Sequence, residues 1–509
     1  MEIELPFNFT TLILFSSFIF LLIKAWKKSI FFPKKYENLP PSPSKLPVIG
    51  HLHHLVGGLP HHTLRRVAQK YGPIVYLQLG EVPSVLISSR EATKDVLKHQ
   101  DPAFADRPES IGSKIMWYDY TDIAFCNYTD YLKQMRKICI LELLSAKNVK
   151  SFVSIRQDEV SNLVKFLRSS SGEAINLTEH VFKFTSSITC RVTFGEVIRD
   201  RDNMLSMLKK ALTLAGGFML ADFFPSIKLL QVFSWDKYKL LRMRRKLDSI
   251  LDGIVYEHKL KQSGEFGGED VIDALLRLQK SGQYQIPITD DNIKAIIFDM
   301  FSAGTETSAA TIDWAMAELM RNPRVMAKLQ AEVREAFKGK TKLIEESDVQ
   351  TLKYLRLVIK ETLRLHPPFP LLPRACRDEC KVDGYTIPPK SKVMINICSL
   401  GRDPEYWDQP DNFQPERFEN SSIDLFGNNM ELIPFGAGRR MCPGINFGLA
   451  NVGLSLAQLV FFFDWKMPEG MTSDDIDMTE AVGMAVPRKT GLILVPTPAA
   501  ATTTTTTQE

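Results

Sequence analysis

The stretch Pro434-Phe435-Gly436-Ala437-Gly438-Arg439-Arg440-Met441-Cys442-Pro443-Gly444 decides how this chain is read. It carries the spacing F-x-x-G-x-R-x-C-x-G. Gly436, Gly438 and Gly444 permit tight turns and let backbone come close to a flat ligand. Amides of such a loop can point at the Cys442 sulfur. Arg440 supplies a cation suited to a carboxylate. A helix starting after Pro443 would set its positive end near the sulfur and favour thiolate over thiol. The local chemistry is therefore that of a thiolate ligand.

Outward from this loop, the 509 residues are 44% hydrophobic and 24% charged, which excludes disorder or coiled coil as a global description. A net charge of +4 over the whole chain is too small for a nucleic-acid footprint. Seven widely spaced cysteines suit free thiols in a reducing compartment rather than a disulfide framework. Cys376 and Cys380 read as ordinary thiols. His51, His53, His54, His61 and His62 read as loop histidines without metal-ligand spacing.

Residues 5–23 hold no charge, and Lys24, Lys27, Lys28, Lys34 and Lys35 follow. Nineteen residues nearly match a bilayer core of about 30 Å, and the basic flank stays cytosolic. We expect a membrane anchor over 1–28, a stiff Pro-rich hinge over 29–50, one domain over 51–496 and a disordered Thr-rich tail over 497–509. In that orientation the sequons at Asn127 and Asn176 never meet the glycosylation machinery.

The soluble part reads as mainly α with a small β region. A helix is expected over 289–321, capped by Thr289 or Asp290 and stopped at Asn322-Pro323. Another covers 352–365, ended by Pro367-Pro368. Strands are expected at 74–79, 84–87, 393–396 and 492–495.

The cysteine motif resembles that of the cytochrome P450 haem-thiolate monooxygenases, and the resemblance extends from the anchor to about residue 496. It implies the cytochrome P450 fold, haem b as cofactor and Cys442 as axial iron ligand, with Phe435, Gly436, Arg440 and Gly444 around it. Thiolate donation favours O–O cleavage. Ala303-Gly304-Thr305-Glu306-Thr307 lies in the long helix, where Thr307 can bond back to the residue 303 carbonyl and loosen the helix. It resembles the family's oxygen-activation pair, with Thr307 and Glu306 as the catalytic residues. Glu361 and Arg364, with Arg417 53 residues on, match the family's structural triad. Arg374 and Arg136 match its haem-propionate arginines.

One position departs from the pattern. The family usually carries Trp where this chain has Leu132, which cannot donate; we expect weakened haem retention rather than loss. Around the pocket, Ala303, Leu371, Val482 and Met484 are the substrate-lining candidates, with the loop 111–125. The resemblance runs to the plant membrane-bound terpenoid hydroxylases. It implies C–H hydroxylation of an apolar sesquiterpene or diterpene with O2, at the endoplasmic reticulum membrane. Electrons would come from NADPH through a separate NADPH-cytochrome P450 reductase, since no dinucleotide fingerprint is present. Alternatives are an alkaloid or fatty-acid oxygenase of the same fold, an oxygen-independent isomerase or dehydratase, and a paralogue impaired by Leu132.

Overall fold

The computed structural model describes residues 36–214, 219–260, 269–340 and 342–499, with Ser16 alone before them. The expected anchor therefore lies outside the described residues, Ser16 excepted. Six helices position the site. They are α1 (Pro60–Tyr71), α2 (Asp130–Ile138), α3 (Leu177–Phe194), α4 (Asp290–Arg321), α5 (Lys353–Leu365) and α6 (Ile445–Phe462).

The 32 residues of α4 make it about 48 Å long, enough to cross the whole domain. Its start is a capping box: the Asn292 amide donates to Thr289 Oγ1 at 3.2 Å, and the Thr289 amide donates to Asn292 Oδ1 at 2.9 Å. Asp290 and Asp291 in the first turn complement the helix dipole. Pro323 begins the next helix and so stops this one. Most of α4 is buried on every side, against α3 and α6. Among the described residues only α6 has the length and apolarity of a membrane span, yet 78% of that stretch is buried within the protein. Its apolar character is that of a core helix.

The larger sheet contains β1 (Ile74–Leu79), β2 (Val82–Ile87), β3 (Leu371–Ala375) and β4 (Lys392–Asn396), in the order β1-β2-β4-β3. β2 and β4 are parallel, with Val85 opposite Val393, and β3 runs antiparallel to β4, with Arg374 opposite Val393. β3 is an edge strand, which is why it tolerates Pro373. The described part of the Pro-rich segment lies along this sheet: the Tyr76 amide donates to the Pro41 carbonyl at 2.9 Å, and the His51 amide to that of Gln78 at 2.7 Å. Thr497 and Pro498, which the sequence assigns to a tail, continue the strand Ile493–Pro498 and pair with Asp464 and Phe463. Alternating burial carries that strand past the low-complexity boundary.

Glu361 and Arg364 sit one turn apart on the buried face of α5. Arg364 Nε and Nη2 donate to both Glu361 oxygens at 2.7 and 2.8 Å, and its Nη1 donates to the carbonyls of Gly401 and Pro410. Arg417 Nε reaches the same carboxylate at 3.0 Å, and so does the Gln414 amide at 2.8 Å. The pair is fully buried and closed: each charge has its counter-charge and the surrounding carbonyls absorb the remaining donors. Arg364→Leu would strand the Glu361 carboxylate beside Arg417 alone. We expect a loss of about 3–5 kcal/mol in denaturant unfolding, against a much smaller loss for Lys360→Leu on the neighbouring, less buried position.

Candidate functional site

Cys442 lies between a short turn, Gly438–Arg440, and the start of α6. Gly438 adopts φ +68°, and a Cβ there would meet the Leu97 carbonyl oxygen at 2.3 Å and Asp101 Oδ2 at 2.8 Å. Only glycine fits, both for the backbone sign and for space. Asp101 in turn accepts from the Arg439 amide at 2.7 Å, pinning the turn from outside. The Cys442 amide donates to the Phe435 carbonyl at 2.9 Å, so the loop closes on itself around the cysteine. Burial raises the Cys442 thiol; the Gly444 amide and the Arg136 guanidinium act in the opposite direction, stabilising negative charge on sulfur.

The loop is held against the long helix. An added Cβ at Gly304 would meet Phe447 at 3.3 Å and Thr189 at 3.2 Å, and one at Gly448 would approach Ser308 Oγ at 4.0 Å. α6 therefore crosses α4 at Gly304–Ser308, directly after the cysteine. Along this stretch Ala303 is exposed and Gly304 and Thr307 are half-buried, whereas their neighbours are buried. One face of an otherwise enclosed helix is open. Thr307 Oγ1 donates to the Ala303 carbonyl at 2.7 Å, as its spacing predicts. The expected loosening does not follow, since α4 stays continuous through it. Glu306 is buried, its Oε2 has no hydrogen-bond partner, and burial lifts its carboxyl to about 7, with Lys209 a minor offset.

Four guanidiniums gather beside the loop. Arg374, on β3, is fully buried, and its Nε and Nη2 have no hydrogen-bond partner. Burial, then repulsion from Arg440, lowers it to about 9, with Asp101 as a partial offset. Arg440 is lowered to about 10, chiefly by burial, and donates to the carbonyls of Ala105, Ile123 and Cys126. Arg136, on α2, donates to the Met441 carbonyl at 2.7 Å, and burial lowers it as well. Sequence reasoning missed the fourth, Arg107. It donates to the carbonyls of Ala124 and Pro373, and burial followed by Arg374, Arg440 and Arg136 lowers it strongly. An isolated Arg-Pro in a loop gives no periodic signal, so nothing in the sequence singled it out.

Such a cluster is costly without an anionic partner. Unused donors on Arg374, mutual repulsion among the four and a cysteine on the adjoining loop suit a flat group with carboxylates at its edge. The residues fit haem. Arg440 already spends its donors on three carbonyls, so Arg374 is the better-placed carboxylate partner. Leu132 is fully buried in the main core. Leu371 and Met484 are half-buried, and Val482 is 70% exposed on its loop.

Comparisons with known proteins agree with this geometry. The family model for cytochrome P450 matches residues 40–495. Cytochrome P450 71D13 of Mentha piperita is 59% identical over 500 residues, covering 98% of this chain and 99% of its own length. Premnaspirodiene oxygenase of Hyoscyamus muticus is 57% identical over 498 residues, covering 97% and 98%. A zebra fish cytochrome P450 solved with progesterone shares the fold at TM-score 0.75 and 24% identity, over 87% of this chain and 100% of that one. The fold and cysteine loop are those of a haem-thiolate protein. The chain belongs to the cytochrome P450 family and is a haem-carrying monooxygenase.

Arg374→Leu removes the two unpartnered donors without opening a charged hole. We expect purified protein to hold markedly less haem per chain by pyridine haemochrome assay, and added haem to restore it only in part. Equal haem content in variant and parent would remove Arg374 from this role.

Proposed function

We propose that this enzyme hydroxylates an apolar plant secondary metabolite of the sesquiterpene or diterpene class, with Cys442 as the axial ligand of haem iron. The observation that carries the reading is the open face of α4 at Ala303, Gly304 and Thr307, beside the cysteine loop. Candidate lining residues Leu371, Val482 and Met484 are apolar, as a hydrocarbon requires. A relative named for oxygenating premnaspirodiene supports the terpenoid class. Cys398 is the other cysteine to weigh. It is buried among His61 and His62, without a glycine loop, which supports Cys442 rather than Cys398 as the thiolate.

When bound, haem with a thiolate ligand supplies the oxygen-activating chemistry. The chain's own residues do the rest. Arg374, with two unpartnered donors, would hold the cofactor's anionic edge, and Arg107, Arg136 and Arg440 would add positive charge beside it. The Gly444 amide and Arg136 stabilise charge on Cys442. Thr307, anchored on the Ala303 carbonyl, presents a hydroxyl on the open face. Glu306, near 7, can hold or release a proton at neutral pH.

The remaining parts of the reading are the anchor over 1–28, the hinge over 29–50, the domain over 51–496 and an endoplasmic reticulum location with the catalytic domain cytosolic. Electrons come from NADPH through NADPH-cytochrome P450 reductase. Microsomes holding this protein and that reductase, supplied with NADPH, O2 and a panel of sesquiterpene and diterpene hydrocarbons, provide the test. We expect an oxygenated product; none across the panel would exclude the substrate class.

Two further outcomes follow. Cys442→Ser should abolish the thiolate-type Soret band of the carbon monoxide complex, whereas Cys398→Ser should keep it. Glu306 titrates in the folded protein above its ordinary 4.5, so the folded state holds that proton more tightly than the unfolded one. Its contribution to stability is present below pH 4.5 and falls as pH rises towards 7, with a slope of up to about 1.4 kcal/mol per unit. Glu306→Gln should remove that slope, so that variant and parent diverge most in denaturant unfolding at pH 8. Parallel pH profiles would contradict the buried-acid assignment.

A further inference from the structure

His61 and His62 begin α1 rather than lying in a loop, and the fold brings both to Glu480. Each Nε2 lies on Glu480 Oε2, at 2.7 and 2.8 Å. Cys398, in the short helix Ile397–Leu400 that follows β4, completes the group: its sulfur and the two histidine nitrogens all lie within 4.8 Å of one another. His61 and Cys398 are buried, and Asn396 Nδ2 fixes the His61 backbone by donating to its carbonyl at 2.9 Å. The His62 side chain is 42% exposed, which leaves a path from solvent.

We propose that His61, His62 and Cys398 form a zinc site, separate from the haem-ligating cysteine, with Glu480 as the carboxylate that holds the two histidines. Two imidazole nitrogens and a thiolate are three donors of the kinds that tetrahedral Zn2+ takes, with water for the fourth position, and the sulfur disfavours Mg2+ and Ca2+. Zinc bonds of about 2.0–2.3 Å put neighbouring donors roughly 3.3–3.8 Å apart, a spacing the two histidines and Cys398, already within 4.8 Å of one another, reach by small side-chain shifts. Binding displaces the protons shared among these groups into solvent, with no redox change. The three ligands and Glu480 come from three distant parts of the chain, namely α1, the turn after β4 and the loop that carries Val482 and Met484. A metal here would staple that loop to the sheet end of the molecule.

The test uses the full-length holoenzyme, stripped with EDTA, given one equivalent of zinc sulfate and desalted. We expect elemental analysis to find close to one zinc per chain beside the haem iron. X-ray absorption at the zinc edge should show one sulfur at about 2.3 Å and nitrogen or oxygen neighbours at about 2.0–2.1 Å. Cys398→Ser should lose the sulfur shell and His62→Ala should lose the zinc, both with the thiolate-type carbon monoxide spectrum intact. Zinc at background level in the parent, or retained zinc with no sulfur neighbour, would overturn the site and leave Glu480 as a plain ion-pair partner of the two histidines. Should Cys398→Ser fail to fold, as its carbon monoxide spectrum would reveal, His62→Ala on the surface side decides the matter.

Discussion

Burying positive charge is the constraint on which the arrangement around Cys442 depends. Two of the buried-arginine clusters among the described residues are handled in opposite ways. Around Glu361 the account is closed, because Arg364 and Arg417 share one carboxylate and the remaining donors meet backbone carbonyls. Around Arg374 it is open: four guanidiniums repel one another, and two donors of the most buried one meet nothing. A closed cluster stabilises a scaffold once its charges are matched. An open one is costly without an anionic partner, and its position beside the cysteine loop suits the carboxylates of haem.

The backbone of this arrangement was legible in the chain because it rests on local rules. The capping box at Thr289 and Asn292, the proline after Asn322 and the E-x-x-R spacing on α5 are all short-range signals, and each appears where expected. The cysteine loop is likewise local, since Gly438 is dictated by a backbone sign and a carbonyl a few ångströms away. What stayed hidden depends on contacts between distant segments. Arg107 becomes important only because the fold sets it against Arg374, 267 positions later. The tail boundary moved because Thr497 pairs across the sheet with Asp464, which composition cannot foretell.

The histidines near residue 60 make the same point from the other side. Spacing along the chain argued for nothing, since adjacent histidines match no metal motif. Yet adjacency at the first turn of a helix splays the two rings towards one point, and a carboxylate 418 residues after His62 and a thiol 336 residues after it arrive there. Ligand sets assembled from several elements are invisible to motif reading and visible only once the sheet and its connections are in place.

The long helix carries its own argument about which acid matters. Asp299, Glu306 and Asp313 stand seven residues apart, so they share one face of α4, and burial raises all three. Asp299 is met by the amides of Ile123 and Ala124, at 2.8 and 3.3 Å. Asp313 accepts from Thr178 and faces Arg488 at 3.9 Å. These two are anchors, tying the helix to the loop above it and to the segment beside it. Glu306 alone carries no such bond at Oε2, and it is the one next to Thr307 on the open face. A buried acid that the scaffold leaves unanchored contributes nothing to packing that glutamine or methionine would not contribute better. That missing anchor is what suits Glu306 to the proton-holding role proposed for it.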